Sequence, residues 1–173
     1  YIKDIDRDLL CDKRLAVSIK GFIPSTGCIP SKYLKDSVLS LKEVSVIGGP
    51  CHAEEVANSK NTYLTISSTD SNVSGDIYNS LSAHYLRVIV NNDPAGIEYT
   101  AILKNIIGIA SGIAKGLNYG DNFQAVLVSN SMRETGAFLE AVHPLKRDLY
   151  DSAYFGDLLV TAYSDHSRNR TLG

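Results

Sequence analysis

The stretch Arg87-Val88-Ile89-Val90-Asn91-Asn92-Asp93-Pro94 divides the chain into two parts with different hydrophobic periods. Its first four residues are typical of a buried strand. Its last two predict the start of a helix, with Asp93 as the N-cap and Pro94 as the first helical residue. Short strand-like runs alternate with helical stretches before this junction, and long helical periodicity follows it. We therefore predict an α/β part over 1–92 and an all-α part over 93–173.

Three more strands are predicted before the junction, each followed by a helix. The strands cover 15–19, 44–47 and 63–67, and the helices cover 31–42, 71–85 and a segment that begins at 53. Strands that alternate with helices are typical of a mostly parallel sheet. No G-x-G-x-x-G motif follows a strand, so the dinucleotide-binding fingerprint is absent from this sequence. The pattern predicts the second part of a doubly wound, Rossmann-like sheet, followed by a helical substrate domain.

The helical part carries two periodic sets of residues. Four isoleucines recur at spacings of four, three and four residues: Ile102, Ile106, Ile109 and Ile113. Four glycines recur at every fourth residue: Gly108, Gly112, Gly116 and Gly120. The isoleucines predict a buried stripe on one helix, and the glycines predict a ridge that another helix approaches closely.

Composition and charge exclude several classes of protein. The chain has 173 residues, of which 44% are hydrophobic and 21% are charged, as in a globular protein with a sizeable core. Lys and Arg number 17 against 19 Asp and Glu. The net charge of −2 creates no field that holds a polyanion, so nucleic acid is not an expected partner. The most apolar stretch, 101–114, contains Lys104 and is too short to cross a bilayer, so we expect no membrane insertion.

The cysteines and histidines indicate neither a disulfide framework nor a metal site. The three cysteines, Cys11, Cys28 and Cys51, have no C-x-x-C spacing, and the four histidines have no metal-ligand spacing. Sparse, unpaired cysteines are typical of a reducing compartment, so we predict a cytoplasmic protein without a bound metal. The chain begins with Tyr1 rather than Met, and we interpret it as a fragment of a longer polypeptide.

Lys104 is the strongest candidate for a catalytic group. It interrupts an apolar segment and, at 100° per residue, lies near Gly108 and Ser111 rather than on the isoleucine stripe. Small neighbours leave room for a ligand to reach the ammonium. Partial burial would lower its pKa towards the range that a general acid needs. A solvated lysine is the alternative interpretation.

Three other segments predict contacts with an anionic ligand. Gly49-Pro50-Cys51 lies where a strand ends and a helix begins, so its backbone N–H groups can point at an anion. Lys20 is predicted at the end of the first strand, where ligand crevices form. The run Arg168-Asn169-Arg170 predicts a loop that grips a phosphate with two guanidinium groups. Each segment also has a plain structural interpretation, as an ordinary turn, a surface lysine and a solvated loop.

Six segments, taken in order, resemble one family. They are Ile19-Lys20-Gly21, Gly49-Pro50-Cys51-His52-Ala53-Glu54-Glu55, Ala101-Ile102-Leu103-Lys104-Asn105, Gly116-Leu117-Asn118-Tyr119-Gly120-Asp121-Asn122, Gly156-Asp157-Leu158 and Ser167-Arg168-Asn169-Arg170. Over 15–173, the chain resembles the NAD(P)-dependent sn-glycerol-3-phosphate dehydrogenases of the bacterial cytoplasmic type. The resemblance implies an oxidoreductase that interconverts dihydroxyacetone phosphate and sn-glycerol 3-phosphate and feeds phospholipid precursor synthesis. It implies NAD or NADP as the cofactor, and a homodimer is a candidate assembly.

The resemblance also implies a role for each matching residue. Lys104 matches the catalytic lysine, which protonates the carbonyl oxygen as hydride arrives, and Asn105 and Asp157 match residues that position it. Seven residues match substrate-binding positions: Lys20, Gly49, Cys51, Thr161, Ser167, Arg168 and Asn169. Two residues match cofactor contacts: Ala53 and Arg168. Cys51 stands where the family usually has Ser or Thr, and a thiol is a weaker hydrogen-bond donor than a hydroxyl.

Two other functions stay open as alternatives. One is a related two-domain dehydrogenase of the 6-phosphogluconate or 3-hydroxyacyl type. The other is an inactive fragment that binds a ligand or dimerises, because a piece without the glycine-rich turn is expected to bind NAD(P)H poorly. The enzymatic interpretation requires Lys104 to lie close to Asp157 and Arg168, across a space that fits a three-carbon phosphate ester.

Overall fold

The computed structural model describes residues 5–38 and 40–173, which form a four-stranded sheet and a set of helices. The strands are β1 (Arg14–Val17), β2 (Glu43–Gly48), β3 (Thr62–Ser67) and β4 (Leu86–Asn91). The helices of the first half are α1 (Pro30–Ser37), α2 (Ala53–Ala57) and α3 (Ser71–Leu81). The second half contains α4 (Pro94–Gly116), α5 (Gly120–Val142), α6 (Asp157–Tyr163) and α7 (Arg168–Leu172). The predicted fold class, an α/β part followed by a helical part, is confirmed.

The sheet is mostly parallel, as predicted, but its central pair of strands is antiparallel. The strands lie in the order β1-β2-β3-β4, and the two outer pairs, β1 with β2 and β3 with β4, are parallel. The central pair, β2 and β3, is antiparallel, with Val46 opposite Ser67. The connection between them contains only the five-residue α2, which buries none of its residues. Because α2 does not cover a face of the sheet as a crossover helix does, the chain reverses direction between these strands.

The helix α4 begins where the sequence predicts. The side chain of Asp93 accepts a hydrogen bond from the Gly96 N–H at 3.0 Å, and Pro94 is the first helical residue. Asp93 is buried and also accepts hydrogen bonds from Arg147 Nε at 2.7 Å and from the Tyr154 hydroxyl at 2.8 Å. Its carboxylate is therefore well satisfied, and it fixes the start of α4 to the segment that precedes α6.

The side of α4 that faces the protein is not the one that the isoleucines predict. Ile106 is 61% exposed and Ile113 is 48% exposed, and the other two isoleucines of the stripe are only partly buried. The residues that α4 buries in this region are small or polar: Lys104, Gly108, Ser111, Gly112 and Ala114. The prediction of a buried isoleucine stripe is therefore wrong for the chain as the structure describes it.

The glycines of α4 explain which side is buried, because α6 and α7 pack against them. A Cβ atom at Gly108 would lie 3.0 Å from Thr161 Cγ2. One at Gly112 would overlap the carbonyl oxygen of Arg170. The predicted close approach is confirmed at these two positions. At the other two predicted members of the ridge, an added Cβ would meet no atom within 4 Å: Gly116 and Gly120.

One hydrophobic core joins the sheet to the helices. Val46 of β2 and Ile97 of α4 pack in the same cluster as Met132 of α5 and Leu158 of α6. A smaller cluster fills the space between β1, β2 and α1: Val17, Leu34 and Val44. The shared core places α4 and α6 beside β2, so the loop after β2 lies close to both helices.

Among the described residues, α4 is the one helix whose length and composition would allow it to cross a membrane. Half of the residues in its apolar stretch are buried inside the protein. Its buried side also contains two ionisable residues, Glu98 and Lys104. A core helix packed against other elements meets the same criteria of length and composition.

Candidate active site

A cavity of about 440 Å³ lies between the α/β half and the helical half. Nine residues line it: Lys20, His52, Lys104, Asn105, Thr161, His166, Ser167, Arg168 and Asn169. Three of them are Lys or Arg and none is Asp or Glu, so the cavity favours an anionic ligand. Seven of the nine match positions to which the resemblance assigns a role, and the two histidines do not.

Lys104 and Asp157 form a buried ion pair at this cavity. Lys104 lies in the middle of α4 and is 5% exposed, and Asp157 is the first residue of α6 and is 2% exposed. The Nζ of Lys104 donates a hydrogen bond to Oδ1 of Asp157. Burial of either charge alone would cost on the order of several kcal/mol, so each stabilises the other. The two residues are thus in contact, as the enzymatic interpretation requires.

The surroundings of Lys104 lower the pKa of its ammonium to about 8. Burial is the largest cause, because the charged form is poorly solvated in the interior, and the nearby cation of Lys20 acts in the same direction. The carboxylate of Asp157 acts in the opposite direction and favours the ammonium. An ammonium whose pKa lies near the working pH can give up a proton and regain it, as a general acid must.

The helix α7 brings polar groups to the cavity from the far end of the chain. Ser167 caps this helix, and its Oγ accepts a hydrogen bond from the Arg170 N–H at 3.3 Å. Nδ2 of Asn169 donates to Oδ1 of Asn105 at 2.8 Å. This contact ties α7 to the residue that follows Lys104, so the polar groups of α7 lie beside the ion pair.

The two arginines of α7 point in different directions, so the predicted loop with two guanidinium groups at one phosphate is wrong. Arg168 is exposed at the cavity and forms no ion pair with any residue that the structure describes. Nη1 of Arg170 instead donates to Asp165 at 2.7 Å, and Arg170 lines a separate cavity together with Lys115. Residues two positions apart on a helix point about 200° apart, so a helix cannot aim both side chains at the same group.

Thr161 and Lys20 complete the wall of the cavity. Oγ1 of Thr161 donates to the backbone carbonyl of Asp157 at 2.7 Å, so its own helix holds this hydroxyl. Lys20 lies three residues beyond Val17, where β1 ends, rather than directly at the end of the strand as predicted. Its position in the loop allows its ammonium to approach Lys104 from the α/β half.

The three predicted residues of the loop after β2 do not line the cavity. Gly49 has a φ of +105°, and an added Cβ would lie 3.3 Å from the backbone nitrogen of Thr65, so this position favours glycine. Cys51 is partly buried, and burial raises the pKa of its thiol. Ala53 is exposed at the first position of α2. The contacts predicted for these residues stay predictions, and His52 is the member of the loop that lines the cavity.

Two histidines that no sequence pattern singles out also line the cavity. The rings of His52 and His166 lie with their centroids 6.2 Å apart. Each is the direct neighbour of a predicted binding residue, because His52 follows Cys51 and His166 precedes Ser167. That adjacency is the signal that could have found them. Among the described residues, no three His, Cys, Asp or Glu side chains are placed together to hold a metal ion.

Comparisons with known proteins agree on one family. Residues 1–74 match the model of the NAD-dependent glycerol-3-phosphate dehydrogenase N-terminus, and residues 93–173 match that of the C-terminus. A glycerol-3-phosphate dehydrogenase (NAD(P)+) of Staphylococcus epidermidis is 40% identical over 173 residues, which cover 99% of this chain and 52% of the relative. One of Clostridium botulinum is 39% identical over 154 residues, which cover 89% of this chain and 46% of the relative. The chain spans about half the length of the curated relatives that it matches.

Solved structures lead to the same family. Glycerol-3-phosphate dehydrogenase of Coxiella burnetii matches with a TM-score of 0.85 and 31% identity, over 91% of this chain and 48% of that one. A structure from Dunaliella salina, with a TM-score of 0.82 and 23% identity over 91% of this chain and 27% of that one, supports the fold alone. These matches favour neither a 6-phosphogluconate or 3-hydroxyacyl dehydrogenase nor a non-enzymatic fragment. The chain belongs to the NAD-dependent glycerol-3-phosphate dehydrogenase family.

Proposed function

We propose that the whole protein interconverts dihydroxyacetone phosphate and sn-glycerol 3-phosphate, with NAD or NADP as the hydride carrier. The observation that carries this proposal is the buried pair of Lys104 and Asp157 at a cavity that also contains Lys20 and Arg168. Reduction of a ketone on a phosphate ester needs one group to protonate the oxygen and others to hold the phosphate. The reduced product would supply phospholipid synthesis.

In this proposal, Arg168 and Asn169 bind the phosphate group, with Ser167 beside them. A guanidinium can donate two parallel hydrogen bonds to phosphate oxygens, which fixes both the distance and the orientation of the group. Lys20 adds a second positive charge from the α/β half of the cavity. A phosphate held in this way places the carbonyl of a three-carbon substrate next to Lys104, so orientation lowers the entropic part of the barrier.

Lys104 acts as the general acid of ketone reduction. Its ammonium donates a hydrogen bond to the carbonyl oxygen and transfers a proton to it as hydride arrives at the carbon, so the alkoxide charge is neutralised while it develops. Asp157 holds the ammonium in place, and Thr161 and Asn105 limit the space around it. In the reverse direction the neutral amine of Lys104 accepts the proton of the substrate hydroxyl.

In the same proposal, two of the described residues contact one end of the nicotinamide cofactor. Arg168 is exposed and has no ion-pair partner in the part of the chain that the structure describes, so its guanidinium can also meet an anionic group of the cofactor. Ala53 begins α2 and presents only a methyl group near the loop that carries His52. We propose that these two residues contact the cofactor, which supplies the hydride when bound.

The remaining expectations belong to the same proposal. We propose a boundary between the two domains at 92/93, which the end of β4 at Asn91 and the start of α4 at Pro94 support. We propose a cytoplasmic location, which the three unpaired cysteines support, and no membrane insertion. A homodimer of the whole protein stays a prediction, and light scattering of the purified protein tests it.

Turnover of competing substrates tests the proposed function. We expect the whole protein to oxidise NADH or NADPH with dihydroxyacetone phosphate at a kcat/KM at least about 100-fold above that with an acetoacetyl thioester. In the oxidative direction, sn-glycerol 3-phosphate should exceed 6-phosphogluconate by a similar factor. The cations of the 440 Å³ cavity favour a phosphate ester over an uncharged acetoacetyl group. Preferential turnover of either competitor would contradict the proposal.

A further inference from the structure

His52 occupies an unusual place beside the ion pair. It lies in the loop between β2 and α2 and lines the same cavity as Lys104. Its side chain does not cap α2, although His52 is the N-cap residue of that helix. Its Nε2 is buried and has no hydrogen-bond partner in the described part of the chain. A buried polar atom without a partner is costly, so such an atom beside an active site calls for a functional explanation.

His166 connects His52 to the solvent. It lies in the segment between α6 and α7 and is exposed, whereas His52 is only partly exposed. The ring centroids are 6.2 Å apart and the ring planes are inclined by 55°. This separation suits a single bridging water between ring nitrogens. The cavity thus contains two neighbouring imidazoles, a partly buried one and an exposed one.

The charges around His52 favour its neutral form. Burial is the largest cause of a lowered pKa for this imidazole, and the ammonium of Lys104 lowers it further. The carboxylates of Glu54, Glu55 and Asp157 oppose these effects. Lys20, in the loop after β1, and Arg168, in α7, add positive charge to the same cavity. A neutral imidazole accepts a proton on one nitrogen and can release another from its second nitrogen.

The proposed reaction creates a need for such a path. Each reduction removes one proton from Lys104, which is 5% exposed, and its partner Asp157 is 2% exposed. Substrate and cofactor would fill the cavity through which water could otherwise reach the amine. A group that carries protons near neutral pH and touches both the cavity and the solvent would restore the ammonium after each turnover.

We propose that His52 and His166 form the path that returns a proton from water to Lys104, an inference that rests on the proposed function. Water protonates His166, which passes a proton through a bridging water to one ring nitrogen of His52. His52 releases the proton of its other nitrogen to the amine of Lys104. When the products leave and solvent enters the cavity, the ring nitrogen on the water side returns its proton to water and the nitrogen that faced Lys104 takes one from water, which restores the starting tautomer. The net change is one proton moved from water to Lys104, with only N–H and O–H bonds formed and broken, and the oxidative direction runs in reverse.

Isotope effects and chemical rescue in the whole protein test this path. His52→Gln keeps a polar side chain but cannot pass a proton at neutral pH. We expect its kcat for dihydroxyacetone phosphate reduction to fall about tenfold, with an unchanged KM for this substrate. Because proton return would then limit turnover, the solvent isotope effect on kcat should rise and the isotope effect from a deuterated nicotinamide cofactor should fall. Added imidazole should restore turnover severalfold. His166→Gln should show the same signs with a smaller loss.

Two controls make the outcome decisive. His84 lies outside the cavity and packs on Tyr85, so His84→Gln should change neither kcat nor the isotope effects. His52→Asn is a second variant in case the glutamine fits poorly, and circular dichroism checks that each variant is folded. Unchanged kcat in both His52 variants, or a raised KM without imidazole rescue, overturns the path and leaves the proposed function intact. A wild type that does not reduce dihydroxyacetone phosphate overturns both proposals.

Discussion

The two sides of α4 show how differently one helix can use its residues. One side carries Lys104, Gly108 and Gly112 and is buried, and the other carries Ile106 and Ile113 and is exposed. Because two glycines allow the backbones of α6 and α7 to approach, these elements pack on the glycine side and enclose the lysine. Burial on this helix therefore follows the space that small residues leave, and not the hydrophobicity of the isoleucine stripe.

Polar contacts stabilise the buried side of α4. The Lys104 ammonium is paired with Asp157, and Oγ of Ser111 donates to the carbonyl oxygen of Ala162 in α6 at 2.6 Å. Nε2 of Gln124 in α5 donates to Oγ of the same serine. Each of these three buried side chains has a partner, whereas the buried hydroxyl of Thr100, one turn before Lys104, has none among the described residues. Substitutions on the lysine and glycine side of α4 should therefore affect activity and stability more than substitutions on its isoleucine side.

The largest expected effect is the loss of activity in Lys104→Ala. Without the ammonium, no group protonates the carbonyl oxygen, and we expect kcat of the whole protein to fall by about 10²–10⁴-fold. Lys115→Ala is the matched control, because Lys115 lies on the same helix but is exposed and lines the other cavity. Steady-state kinetics and thermal unfolding should show an inactive, folded Lys104→Ala variant and a near-normal Lys115→Ala variant. Normal turnover without Lys104 would refute its role.

A somewhat smaller loss is expected for Asp157→Asn, together with a change in pH dependence. In the wild type, ketone reduction needs the ammonium of Lys104, whose pKa is lowered to about 8, so its rate should fall as the pH rises through that value. Alcohol oxidation needs the amine and should rise over the same range. Because Asp157 raises the pKa of Lys104, its removal should shift both transitions to lower pH.

We expect Asp157→Asn to reduce kcat of ketone reduction at pH 8 by about 10²-fold, with partial recovery at lower pH. Asp151→Asn is the control, because Asp151 is an exposed carboxylate shortly before α6 and should leave the profile unchanged. The measurement is the pH profile of kcat for ketone reduction and for alcohol oxidation in the wild type and in both variants. Transitions that stay at the wild-type pH in Asp157→Asn would show that this carboxylate does not act on Lys104.

The packing of the glycine side is tested by Gly112→Ala. The added Cβ would overlap the carbonyl oxygen of Arg170, so α7 must move, and we expect a loss of about 1–3 kcal/mol in the free energy of unfolding. Gly116→Ala is the matched control, since an added Cβ there meets no atom within 4 Å. We expect it to be neutral or to stabilise by up to about 1 kcal/mol through helix propensity. Denaturant unfolding of both variants measures the difference, and equal values would contradict the close approach.

The smallest effect is expected on the isoleucine side. Ile106 is 61% exposed, so Ile106→Ala should change the free energy of unfolding of the chain by no more than about 0.5 kcal/mol. Ile97 on the same helix is 1% exposed and packs in the core, so Ile97→Ala should cost about 2–5 kcal/mol. The same denaturant measurement compares the two. A cost for Ile106→Ala close to that of Ile97→Ala would mean that the isoleucine side is covered.

Local patterns predicted several features of the fold correctly. The junction at Asp93-Pro94 marks the start of α4, because a carboxylate cap and a proline at the first position are signals confined to a few residues. The placement of Lys104 near Gly108 follows from helix geometry alone. Six of the seven predicted residues that line the cavity lie in the short segments that resemble one family, and Thr161 lies three residues beyond one of them. Such signals depend on neighbours in the sequence, so they can be read without coordinates.

Other features of the site depended on contacts between distant segments. The antiparallel pairing of β2 with β3, the departure of Arg170 from the cavity and the meeting of His52 with His166 have no local signature. Each depends on how an element packs after the chain has folded. Hydrophobic periodicity likewise predicted that the isoleucine side of α4 would be buried, and this prediction is wrong. Periodicity shows which residues share a side of a helix, but not which partner that side meets.

The sequence by itself therefore determined the order of the elements, the helix that carries Lys104 and the family to which the residues point. Only the tertiary structure decided how deeply this lysine is buried, that Asp157 is in direct contact with it, and that His52 and His166 share its cavity. The reason is the distance along the chain: Lys104 and Asp157 are 53 residues apart, and Asn105 and Asn169 are 64 residues apart. Local periodicity sets the direction of a side chain relative to its own helix axis, whereas its environment is set by elements that the chain brings back from far along the sequence.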